Sequence, residues 1–271
     1  MRLDLPMLAW LGRRLAAFLA AERHVHSASP PTNPTLLKQT LRPGDVLLVE
    51  GYSRISTAIK YLTQSTWSHA ALYVGDHPSL PPGSPRPHAF IEADVRAGVR
   101  VTGIDDYTQY HSRICRPVGL TEADQDVIAA YAIDRIGNRY DIQNVVDLMR
   151  YLLPTPPVPT PWRREMIAFG SGDPTRAICS ALIAQAFQAI KYPVLPLVTT
   201  AAAATPTCLE CLKEILRVRH HSLFVPRDFD VSPYFQIIKP SLEGIFDHRL
   251  LEWSDPIGES KPHPIAITEE A

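Results

Sequence analysis

At 271 residues, 45% hydrophobic and 20% charged, the chain has ordinary globular composition and enough apolar mass for one sizeable domain or two small ones. A formal net charge of -1 leaves no global field to draw in nucleic acid, and no basic stripe supplies a local one. Cys115, Cys179, Cys208 and Cys211 are too few and too irregularly spaced for a disulfide framework, which points to free thiols in a reducing compartment.

The chain opens with Leu3, Leu5, Leu8, Trp10, Leu11, Leu15, Phe18 and Leu19, interrupted by Arg13 and Arg14. The charge-free stretches are too short to span a bilayer, and the arginines follow the apolar patch instead of preceding it as in a secretory signal. A helix over residues 1–26 is therefore expected, and two roles for it stay open. It lies at a membrane surface through residues 1–21, or it docks on the domain by its leucine stripe. The expected location is cytoplasmic, with membrane association tied to the first role.

A Ser- and Pro-rich linker fills residues 27–40, and the main domain is expected over 41–240, followed by a C-terminal tail over 241–271. Pro43-Gly44 turns the chain into Asp45–Val49, a short buried strand. Ile55, Ile59 and Leu62 then recur at helical spacing, and a strand opens at His69 with Ala70, Leu72 and Val74 on one face. Five prolines between His77 and His88 rule out sheet pairing there and predict a surface insertion. Phe90–Ala93, Val99–Val101 and Ile114–Val118 complete an antiparallel set of about five strands, and Tyr234–Ile238 is a last strand candidate. Thr121 with Asp124 caps an amphipathic helix that closes at Gly137. A second helix, begun by Asp173 to Thr175 and running through Ile190, is apolar all round and reads as central and buried.

Cys179 falls in the first turn of that buried helix, where the helix N-terminus and a neighbouring imidazolium stabilise a thiolate. His69 sits at a loop-to-strand junction immediately before four apolar residues, a place from which its ring can face a helix. A base of this kind needs a partner for its other nitrogen. Glu92, an acid among Phe90, Ile91 and Ala93, is the first candidate and Asp94 the second. Cys115 reads as an inert buried thiol. Cys208 and Cys211 form a lone C-x-x-C that only His220 and His221 are near enough to complete as a zinc site, and two plain helix thiols are the simpler reading. His24, His26, His77, His88, His220 and His248 read as solvated. Tyr52, Arg54, Lys60 and Trp67 are either cleft lining or a solvated face.

Leu41-Arg-Pro-Gly-Asp-Val, Ser68-His-Ala-Ala-Leu-Tyr-Val-Gly, Phe90-Ile-Glu-Ala, Ile136-Gly-Asn-Arg-Tyr-Asp and Ile178-Cys-Ser-Ala-Leu occur in an order that resembles the circularly permuted papain-like hydrolases related to NlpC, in particular the YiiX/YebB-like branch. The likeness extends from Leu41 to about Lys239, where Phe224-Val-Pro-Arg-Asp-Phe-Asp-Val-Ser-Pro is similar to that branch's closing segment. It implies an α+β fold in which an antiparallel sheet packs against a central Cys-bearing helix. It also implies a triad of Cys179 as nucleophile, His69 as base and Glu92 as orienter, with Tyr140 and the Cys179 amide beside the oxyanion; Trp67 and Ser180 are further substrate-side candidates.

The implied chemistry is acyl transfer from an amide, ester or thioester through an acyl-enzyme, with no metal or cofactor. The substrate is a small peptide, an amide or a lipid acyl group, since relatives divide between amide hydrolysis and lipid acyl transfer. Two departures stand out: the Pro-rich insertion lengthens the path from His69 to Glu92, and the first forty residues have no counterpart. Competing readings are a non-catalytic lipid- or peptide-binding module of the same fold and a serine hydrolase using Ser68 or Ser180, the latter lacking a Gly-x-Ser-x-Gly elbow.

Overall fold

A computed structural model describes residues 31–94, 97–138, 178–202 and 212–240. The helix expected over 1–26, the tail expected over 241–271, Tyr140 and the Cys208/Cys211 pair lie outside the described residues. Among those residues no helix is long and apolar enough to cross a membrane.

Among the described residues the sheet has six antiparallel strands where about five were expected, because the Tyr234–Ile238 candidate joins its edge. The strands are β1 (Val46–Val49), β2 (His69–Gly75), β3 (Ala89–Asp94), β4 (Gly98–Gly103), β5 (Ser112–Pro117) and, late in the chain, β8 (Phe235–Ile238). Their order across the sheet is β4-β3-β2-β1-β5-β8. All four residues of β1 are buried, as a continuous apolar run in the middle of a sheet covered on both faces requires. Beneath it, the buried Asp45 carboxylate accepts two bonds from the Arg116 guanidinium, at 2.9 Å on Oδ1 and 2.7 Å on Oδ2, tying the entry of β1 to β5. A separate hairpin of β6 (Leu197–Ala202) and β7 (Leu212–Arg217) was not anticipated from sequence.

Among the described residues the helices are α1 (Pro34–Thr40), α2 (Arg54–Thr63), α3 (Glu122–Ile133), α4 (Ile178–Ala189) and the short α5 (Pro226–Asp230). The expected capping box starts α3: Thr121 Oγ1 accepts from the Asp124 N–H, and Asp124 accepts from the Thr121 N–H. Ser53 caps α2 by accepting from the Ser56 N–H, and Gln64 ends it in the left-handed conformation.

Strand alternation divides the interior into two apolar layers. Ala70, Leu72 and Val74 of β2 and Ile91 and Ala93 of β3 pack with Cys179, Leu182, Ile183, Ala186 and Phe187 of α4 and with Ile128 and Ala132 of α3. Ala71, Tyr73 and Phe90 point the other way, to Leu37 of α1 and to Ile104 and Tyr107 of a 3-10 turn. Phe187 anchors α4 through an aromatic cluster with Tyr192, Phe229 and Phe235, the last edge-on at 5.2 Å. The Pro-rich stretch does loop out of the sheet as expected, but it is pinned by Leu80, which is buried in the first layer. Two of its histidines are not solvated: His88 Nδ1 lies 3.0 Å from the Tyr73 hydroxyl, and the His77 side chain is only 10% exposed beside Asp126.

Candidate active site

His69 begins β2 directly opposite Val49, the last residue of β1, so its ring stands at the open end of the sheet instead of within a layer. The preceding turn is held rigidly. Ser68 Oγ accepts from the Gly51 N–H at 2.9 Å, and a side chain at Gly51 would run into Ser56 Oγ and Ser68 Oγ at 2.5 and 3.0 Å. Trp67 is 3% exposed, donates its indole N–H to Asp230 at 3.1 Å, stacks on His111 and carries the Arg113 guanidinium over its ring. It contributes to the wall of a cleft of about 440 Å³ with Arg113, Arg227 and Asp230, yet its principal contacts anchor the segment leading to His69.

His69 Nε2 lies 2.6 Å from Glu92 Oε2. Glu92 is 4% exposed and every acceptor position on it is used: Tyr107 donates its hydroxyl to Oε2 at 2.7 Å, and Arg100 reaches Oε1 with Nε at 2.9 Å and Nη2 at 2.7 Å. Burial opposes a charge here, but the facing imidazolium, the bonds from His69 and Tyr107 and the Arg100 guanidinium outweigh it and hold the carboxyl down at about 2. Asp94, the second candidate, accepts from the Ala97 N–H in the turn after β3, and its charge acts on Arg100.

With Nε2 committed to Glu92, Nδ1 is the ring nitrogen left for Cys179, the second residue of α4. Burial alone would raise the Cys179 thiol, but the His69 charge, a hydrogen bond with that ring, the Ala70 amide and the Ser180 hydroxyl lower it below its ordinary value. Burial would likewise depress His69, and the Cys179 and Glu92 charges instead raise it well above 6.5. Each charge favours the other, so the opposed shifts draw the pair towards thiolate and imidazolium. Ser180 is fully buried, with its hydroxyl 3.9 Å from Cys179 Sγ. Cys115, buried in β5, has its thiol pushed well up by burial and by nearby Asp230. Of the residues left open between cleft lining and a solvated face, Lys60 is engaged with Glu50 at 3.1 Å and Tyr52 stacks on Tyr110.

Sequence reasoning missed Tyr107 and Arg100. Arg100 had a signal: it alternates with Val99 and Val101, the pattern of a strand with one polar face.

A sheet that supplies the His and the acid before the chain reaches a helix opening on Cys has the layout of a circularly permuted papain-like fold, of α+β class. Residues 40–151 match the family described as permuted papain-like amidase enzymes, YaeF/YiiX, C92. The matched span contains His69, Glu92, Arg100 and Tyr107 and ends before Cys179. No curated protein matches the chain significantly.

Proposed function

We propose that the chain is a cysteine hydrolase that cleaves an amide bond through an acyl-enzyme, with Cys179 as nucleophile, His69 as acid and base, and Glu92 as orienter. The observation that carries this reading is the part-buried 2.6 Å bond between His69 and Glu92, beside a Cys179 thiol whose pKa is lowered at the start of α4. The Cys179 sulfur attacks the carbonyl carbon, and the Cys179 backbone N–H at the helix start donates to the oxygen as negative charge develops. His69 passes its proton from Nδ1 to the leaving amine, the C–N bond breaks, and a thioester remains. The neutral imidazole then takes a proton from water, hydroxide adds to the thioester, and the acid leaves as thiolate and imidazolium are restored. Amide cleavage agrees with the amidase character of the matched family, and esters and thioesters are accessible to the same steps.

Iodoacetamide labelling near neutral pH, read residue by residue by mass spectrometry, tests the reading. Selective modification of Cys179 that disappears in His69→Ala is expected. Equal labelling of all four thiols would overturn catalysis in favour of a binding module.

A further inference from the structure

We propose that Tyr107 and Arg100 are positioning residues that keep the Glu92 carboxylate ionised and fixed against His69, and so set the acid limit of the reactive thiolate–imidazolium pair. The inference rests on the catalytic reading above.

A carboxylate offers about four lone-pair sites, and the four donors on Glu92 are His69 Nε2 and the Tyr107 hydroxyl on Oε2 with Arg100 Nε and Nη2 on Oε1. Only one of these belongs to the catalytic pair. The other three prevent the carboxyl group from rotating and remove any place for a proton to settle on it. The Tyr107 hydroxyl has a single proton, which goes to Glu92, so the Thr102 hydroxyl 2.8 Å away must be the donor in its own contact with Tyr107. That aims the phenol at Oε2. The Tyr107 ring is held edge-on against Phe90 at 5.0 Å, and both Tyr107 and Thr102 are buried.

The groups facing Glu92 come from every neighbouring element: His69 from β2, Arg100 and Thr102 from β4, and Tyr107 from the 3-10 turn. Asp94 and Asp106 act from the periphery on Arg100 and Tyr107, and Cys179 acts through His69. If Glu92 gains a proton, the imidazolium loses one of its two counter-charges and a smaller share of the pair is held as thiolate and imidazolium. Removing a donor from Glu92 therefore makes the reactive pair collapse at a higher pH.

The test is the pH dependence of Cys179 alkylation by iodoacetamide in the full chain, for Tyr107→Phe in the wild-type background and in a Glu92→Gln background. The phenyl ring keeps the Phe90 contact. In the wild-type background the acid midpoint should rise by about half a pH unit or more, as expected for loss of one hydrogen bond to a buried charge. In the Glu92→Gln background Tyr107→Phe should leave the midpoint where it is. An unmoved midpoint in the first background, or equal shifts in both, overturns the inference while leaving the catalytic reading standing. A wild-type Cys179 no more reactive than an ordinary thiol overturns both. Should Tyr107→Phe fail to fold, the near-isosteric Thr102→Val carries the test through loss of the aiming donor, with a smaller shift in the same direction expected and no shift overturning the proposal.

Discussion

His69 and Glu92 meet across a diagonal of the sheet. The pairing of Leu72 with Ile91, carried one residue on, sets Glu92 beside Ala71, so His69 two residues earlier reaches it obliquely to make its 2.6 Å bond. The diagonal has a chemical use. Glu92 belongs to the layer that holds Tyr107, Cys179 to the layer that holds α4, and only a ring at the open end of β2 can touch both.

Cys179→Ala should abolish turnover, by on the order of 10⁴-fold or more, as for other nucleophiles acting within a triad. Circular dichroism and the thermal midpoint should show an intact fold, since the change removes one sulfur from the end of a well-packed helix.

Glu92→Gln should narrow the pH range of activity from the alkaline side. Without the carboxylate the folded-state pKa of His69 falls, so the imidazolium is lost at lower pH and the descending limb of kcat/KM moves down. The measurement is a full pH–rate profile of variant and wild type.

The same carboxylate links stability to pH. Its folded pKa of about 2 lies below the ordinary 4.5, so its contribution is fully present above 4.5 and is lost as pH falls from there through 2. The shift corresponds to about 3 kcal/mol. Urea unfolding between pH 2 and 6 should show this loss in the wild type and a flatter curve in Glu92→Gln.

Arg116→Met should destabilise the fold by about 3–5 kcal/mol, because it strands the buried Asp45 charge. Burial already raises the Asp45 pKa against the opposing pull of Arg116. Arg116→Met combined with Asp45→Asn should recover part of the loss in denaturant unfolding.

Cys115 should resist iodoacetamide until the protein unfolds, since its thiol is buried and pushed well up. Labelling in increasing urea should show Cys115 modification rising with the unfolding transition and Cys179 modification well before it.

Much of this architecture is written locally. Alternation in β2, the Thr121–Asp124 box and the apolar character of α4 are properties of adjacent residues, so the sequence by itself determined these elements, the Cys-bearing helix and the order of His, acid and Cys, though not α1, which falls in the stretch read as a linker, nor the β6–β7 hairpin. The buried acid Glu92 was legible for the same reason, being an ionisable group in an apolar run. Tertiary structure decided what each polar group touches. Arg100 becomes a partner of Glu92 only through the register that pairs β3 with β4, and Tyr107 only because a turn folds back beneath that pair. Trp67, expected to face a substrate, finds Asp230 from near the other end of the fold and becomes an anchor. Helical and strand periodicity record which face is buried, whereas hydrogen bonds between distant residues depend on register and packing, which no local pattern contains.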